Sequence, residues 1–104
     1  MQVDFSKTFK NFDGTVIPEA PDKPDGFPLR TACVNALMVP ASQGEPPLSG
    51  EEQVKRFDLA TAIYAHKEPL ELNAEQVALL KAQVAKTYGP IIVGQAWKML
   101  EGQL

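Results

Sequence analysis

The sequence has too little of several residue types to build most catalytic or metal sites. It contains one cysteine and one histidine, which excludes an intramolecular disulfide and a metal site with several histidines in one chain. The seven glycines are scattered, so no glycine-rich phosphate loop is present. No apolar run could span a bilayer, and the N-terminus lacks the apolar stretch of a signal peptide. We therefore expect a soluble intracellular protein that does not enter a membrane.

Size and charge narrow the class of protein further. The 104 residues fit a single domain over 1–104, and 44% of them are hydrophobic, which is enough for a core. A formal net charge of −3 disfavours a dedicated nucleic-acid binder, because such a protein needs a concentrated basic surface. Seven of the nine prolines precede residue 50, so irregular structure is expected mainly in the first half.

The N-terminal segment has the pattern of a β-hairpin over residues 1–17. Polar and apolar residues alternate from Val3 to Phe9, as in a strand with one buried face. Asp13-Gly14 then supplies a tight turn, and Thr15 to Ile17 returns. A proline-rich loop follows over 18–28, with Phe27 expected to pin it to the core, and an extended link at 68–72 offers the hairpin a further strand.

Residues 29–104 have the pattern of a helical unit with one short helix and three longer helices. The short helix is predicted over Leu29–Met38. The second runs from a capping box at Ser49 to about His66, and the third begins at the cap residue Asn73. A fourth begins at Pro90. The predicted fold is α+β, mainly α, with the N-terminal β-hairpin packed on the four-helix unit.

Two of these helices carry more apolar surface than one neighbour would cover. The second is predicted to bury one main face, with a second apolar edge beside it; the face comprises Val54, Phe57, Ala60, Thr61 and Tyr64, and the edge Leu59 and Ile63. The fourth is apolar nearly all round, so it is either the centre of the core or half of a subunit interface. Gly94 within it predicts close approach of another backbone, and Trp97 is expected at an interface. We therefore expect a homo-oligomer.

No residue pattern predicts catalysis. Cys33 and His66 form the one conceivable nucleophile–base pair, but Cys33 lies on an apolar helix face. The carboxylate pairs fit helix-start or solvated roles better than acid–base roles; they are Glu51 with Glu52, and Glu68 with Glu71. We predict no enzyme, no catalytic or metal-binding residue and no cofactor.

The predicted contacts are therefore with a partner molecule. Lys55 and Arg56 suit a small patch for a phosphate or an acidic partner, although a solvated helix face also explains them. The candidate partner contacts are Lys55, Arg56, Phe27, Gly94 and Trp97, together with the loops Glu19–Pro28 and Ala41–Leu48. A protein partner is favoured, and a small nucleotide ligand stays open.

Four segments carry a family resemblance: CVNALM, LSGEEQVKRFDLATAIY, LNAEQVALLK and YGPIIVGQAW. They resemble small proteins encoded by phages and prophages that open with a strand and a DG turn and end in a GPxIVGQ-type helix. The resemblance covers most of the chain and implies a phage setting, in the cytoplasm of the host cell or associated with the virion. The first hypothesis is a non-enzymatic binding protein that inhibits or sequesters a host component, such as a defence complex. The alternative is a virion-assembly factor, such as a tail-assembly chaperone or minor structural protein.

Overall fold

The fold is α+β and mainly α, as the sequence predicts. The computed structural model describes residues 1–40 and 44–103. Its elements in chain order are β1 (Gln2–Val3), α1 (Leu29–Met38), α2 (Gly50–Ala65), β2 (Leu70–Glu71), α3 (Ala74–Thr87) and α4 (Pro90–Leu100). The predicted contact loop Ala41–Leu48 includes residues 41–43, which lie outside the described residues.

Helix α1 lies at the centre of the helical unit. It packs against α2 and against α3, and α4 packs on α3. The buried face of α1 consists of Leu29, Ala32, Cys33, Ala36 and Leu37. Three of these side chains are small, which lets two helices approach the same short helix closely. A short helix with small buried residues can thus organise two longer ones.

Local capping chemistry sets where the longer helices begin. The Ser49 hydroxyl accepts a hydrogen bond from the Glu52 amide at 3.1 Å, which satisfies one of the unpaired amides of the first turn of α2. A complete capping box joins Asn73 and Gln76 at the start of α3. Pro90 occupies the first turn of α4. These three predicted helix starts are confirmed, but the predicted box at Ser49 is incomplete, because the Glu52 carboxylate pairs with Arg56 at 3.5 Å.

The end of α2 is held by a residue from another helix. Arg30 of α1 donates from Nε to the Ile63 carbonyl at 3.2 Å and from Nη2 to the His66 carbonyl at 2.9 Å. A guanidinium at a helix C-terminus satisfies carbonyls that have no partner within the helix and suits the helix dipole. Arg30 therefore fixes α2 relative to α1, a role that the sequence does not reveal.

The N-terminal segment departs from the predicted strand over Val3–Phe9. Strand β1 ends after Val3 because the Asp4 carboxylate accepts from the amide and the hydroxyl of Ser6, at 3.0 and 2.6 Å, and bends the chain. Beyond the bend, the backbone is hydrogen-bonded to the first turn of α1: the Phe5 carbonyl accepts from the Arg30 amide at 2.9 Å. The prediction of one continuous strand is therefore wrong.

The predicted burial of alternate residues and the predicted extra strand are both found in the structure. Val3, Phe5 and Phe9 are all buried in the core. β1 pairs in antiparallel fashion with β2, in the register Gln2–Glu71 and Val3–Leu70, so the 68–72 link does contribute a strand. The hairpin itself keeps one bridge, between Lys10 and Val16.

Candidate protein-binding surfaces

The tip of the N-terminal hairpin is a compact turn held by its own polar groups. The Asn11 amide donates to the Thr15 carbonyl at 2.8 Å, and the Gly14 amide donates to the Asn11 carbonyl at 3.0 Å. The Asp13 carboxylate accepts from the hydroxyl and the amide of Thr15, at 2.6 and 3.0 Å. These bonds hold the pKa of Asp13 below its ordinary value, because they favour the charged carboxylate. Gly14 has a φ of 87°, which residues other than glycine rarely adopt, as the Asp-Gly pair predicts.

Gln95 of α4 anchors the base of this turn to the helical unit. Its Oε1 accepts from the Lys10 amide at 2.9 Å, and its Nε2 donates to the Lys10 carbonyl at 2.9 Å. The same Nε2 donates to the Ile91 carbonyl at 2.8 Å within α4. The side-chain amide thus pairs with the backbone of Lys10 as a neighbouring strand would.

Phe12 stands on this anchored turn with its side chain wholly in solvent. It is 100% exposed, whereas Phe9, three residues earlier, is 0% exposed. An aromatic ring on an ordered turn loses little conformational freedom when it enters a partner's pocket. Aromatic side chains of this kind are enriched among the residues that contribute most to protein interfaces. No sequence pattern marks Phe12 as a contact residue, because alternation assigns no face to a residue in a turn.

The solvent face of α2 is a second apolar surface, and it corrects a prediction. The residues predicted to form the main buried face include Val54, Phe57 and Tyr64, which are 58%, 60% and 72% exposed. The edge that carries Leu59 and Ile63 is buried instead, and of the predicted main face only Ala60 is buried as expected. Helix α2 has α1 as its main helical neighbour, and the described residues leave its second apolar side uncovered. We call the exposed residues Val54, Phe57, Thr61 and Tyr64 the outer face of α2.

The paired basic residues of α2 lie in different grooves. Lys55 lines a groove of about 580 Å³ between α2, β2 and the start of α3, together with acidic residues such as Asp58 and Glu75. Arg56 lines a mainly apolar groove of about 660 Å³ that α2 forms with the end of α1, and it pairs with Glu52 at 3.5 Å. Adjacent residues of a helix point about 100° apart. The structure therefore does not bring Lys55 and Arg56 into one basic patch.

Phe27 and Trp97 are largely engaged within the chain itself. The Phe27 ring packs edge-on against Phe9 at 5.1 Å and against Tyr88 at 5.8 Å between ring centroids, so Phe27 pins its loop to the core as predicted. The Trp97 indole N–H donates to the Lys81 carbonyl at 3.1 Å, and the Lys81 ammonium lies 5.2 Å from the ring centroid. Trp97 is 39% exposed. Their roles as partner contacts stay predictions.

Helix α4 has a buried side and an exposed side, so its apolar residues are not all left without a neighbour. Ile92, Ala96, Met99 and Leu100 are buried, whereas Gly94 is exposed. Among the described residues, a Cβ placed on Gly94 would meet no atom within 4 Å outside its own stretch of helix backbone. The expected close backbone is therefore not found among residues 1–40 and 44–103, and approach of a second copy stays a prediction. The larger exposed apolar surface lies on α2.

The conceivable nucleophile lies buried in the core. Cys33 is 0% exposed, and burial raises the pKa of its thiol to about 12, so the thiolate that would attack a substrate is suppressed. His66 lies at the exposed end of α2. Within residues 1–40 and 44–103, no three His, Cys, Asp or Glu side chains are grouped to hold a metal ion. Helices long and apolar enough to cross a bilayer are likewise absent from these residues.

The fold and these surfaces define a small, mainly α protein that displays aromatic residues on the N-terminal turn, on the outer face of α2 and, at Trp97, on α4. No protein-family model, no curated protein and no solved structure matches the chain. The resemblance to phage and prophage proteins thus rests on the four sequence segments and stays a prediction.

Proposed function

We propose that this chain is a non-enzymatic binding protein of phage type, which acts in the host cell by inhibiting or sequestering a host component such as a defence complex. The single observation that carries the proposal is the fully exposed Phe12 ring on an ordered turn. The phage setting comes from the sequence resemblance alone.

The chemistry of the tip favours a protein target with an apolar pocket. The turn presents one ring, and its polar groups already bond one another at Asn11, Asp13 and Thr15. Binding therefore need not order the turn, and the ring contributes apolar contact area at low entropic cost. Ordinary reactivity at Cys33 would favour an enzyme, and the buried thiol with a raised pKa weighs against that reading.

Affinity capture with matched variants tests the proposal. Tagged wild-type protein, Phe12→Ala and Phe57→Glu are each used to capture proteins and small molecules from bacterial host cells with and without phage infection, followed by mass spectrometry. We expect a host protein that wild type and Phe57→Glu retain and that Phe12→Ala loses at least tenfold. Retention of a virion component instead would support the assembly alternative. Capture that does not depend on Phe12, or no capture at all, would contradict the proposed contact.

A further inference from the structure

We propose that the outer face of α2 is covered by α2 of a second copy, in an antiparallel arrangement about a two-fold axis at Thr61. This inference does not rest on the proposed function, because it concerns a different surface. Residues 54, 57, 61 and 64 fall within an arc of about 80° on an α-helix. None of the four is charged, and three of them are large apolar or aromatic side chains exposed by more than half.

The centre of this face can be buried at little polar cost. Thr61 is a small residue, and its hydroxyl donates to the Phe57 carbonyl within the same helix at 2.9 Å. Burying a hydroxyl whose proton already has a partner avoids the penalty of an unsatisfied donor. A small central residue between two aromatics also lets a second helix approach closely.

The face is complementary to itself when two copies run antiparallel. A two-fold axis at Thr61 places Phe57 of one copy, four residues before the axis, next to Tyr64 of the other, three residues after it. The same contact recurs on the far side of the axis, as a two-fold interface requires. Each dimer then gains two aromatic pairs, which are favourable beyond the area that they bury.

The exposed area suits a reversible dimer. With about 200 Å² for each aromatic side chain, the exposed fractions of Phe57 and Tyr64 amount to roughly 250 Å² per copy and 500 Å² per dimer. Val54, together with Met38 and Val39 at the neighbouring end of α1, roughly doubles that area. A total of about 1,000 Å² is where specific interfaces begin. We therefore expect a dimer whose population rises with protein concentration.

Two monomeric variants that recover the dimer on mixing test this arrangement. Sedimentation velocity of the wild-type chain over a hundredfold concentration range should show the mass rising towards twice that of the monomer. Phe57→Glu and Tyr64→Lys should each stay monomeric. Their equimolar mixture should form a heterodimer, because the carboxylate introduced at position 57 of one variant then faces the ammonium introduced at position 64 of the other, while the native aromatic pair remains on the far side of the axis. Phe12→Glu, which changes a fully exposed ring elsewhere, should dimerise like wild type.

Each other outcome overturns part of the proposal. If the wild-type chain stays monomeric at every concentration, the proposed dimer is wrong, including the case where a different protein covers this face. If both single variants still dimerise, the outer face of α2 is not the dimer interface. If both variants are monomeric and their mixture stays monomeric, the antiparallel register is wrong. Both substituted side chains are mostly exposed, so folding should persist, and circular dichroism with protection of the Cys33 thiol verifies it. None of these results depends on whether a target is captured through Phe12.

Discussion

Replacing Gln95 with methionine should loosen the N-terminal tip while leaving the core intact. Methionine has a similar length and keeps the apolar contacts, but it can make none of the hydrogen bonds of the amide to Lys10 and Ile91. Each such bond contributes about 0.5–1.5 kcal/mol net, and water can replace part of the loss because Lys10 is exposed. We expect the free energy of unfolding to fall by about 1–2 kcal/mol.

Urea denaturation and amide hydrogen exchange together measure this effect. In a domain of this length, each kcal/mol of lost stability lowers Tm by about 4–8 °C. The local signature is faster exchange at the Lys10 amide, since Gln95 is its acceptor. Gln103→Met, in an exposed glutamine near the chain end, is the matched control and should change neither quantity. Because Phe12 lies two residues beyond Lys10, Gln95→Met should also weaken target capture.

The reasoning about Gln95 would be refuted by an unchanged exchange rate at the Lys10 amide in a folded Gln95→Met variant. It would then follow that the hairpin is positioned by its buried residues alone, such as Phe9, and that the side-chain amide is incidental. Equal stability with faster local exchange would mean instead that the clamp orders the tip without stabilising the whole fold.

Two further predictions concern α4 and the buried thiol. Gly94→Ala should stabilise the protein by about 1 kcal/mol, because alanine favours the helix and the space beside Gly94 is open; thermal denaturation measures this, and a lower Tm would show that a neighbour does occupy the space. The Cys33 thiol should resist a disulfide reagent at pH 8 in the folded protein and react at once in urea, since raising its pKa from 9.0 to about 12 reduces the thiolate roughly a thousandfold; fast stoichiometric reaction of the folded protein would contradict its burial.

Features set by neighbouring residues could be predicted from the sequence, whereas features set by distant ones could not. The helix starts at Ser49 and Asn73 depend on groups three residues away, so a short motif contains all the information. Arg30 and Gln95 act across 33 and 85 residues of chain. No local pattern marks them, because their partners are backbone groups that any sequence supplies.

The buried side of α2 could not be predicted from the sequence for a different reason. Periodicity correctly found two apolar sides on this helix, one with Phe57 and Tyr64 and the other with Leu59 and Ile63. The side that faces the core carries Leu59, Ala60 and Ile63. Periodicity within α2 contains no information about which of its two apolar sides α1 covers, because that depends on a helix elsewhere in the chain. The pattern predicts a second neighbour for this helix; the described residues of this chain leave that side exposed, so the second neighbour stays a prediction.

Phe9 and Phe12 show how the turn converts a core-type residue into a surface one. They lie three residues apart and have the same side chain, yet one is 0% and the other 100% exposed. Phe9 keeps the inward register of the alternating segment, whereas Phe12 falls inside the turn, where Asp13 and Thr15 bond each other and fix the backbone. These bonds order the backbone of the turn, so the exposed ring loses little conformational freedom when a partner's pocket takes it up. The exposure of Phe12 therefore supports its proposed role as a contact residue.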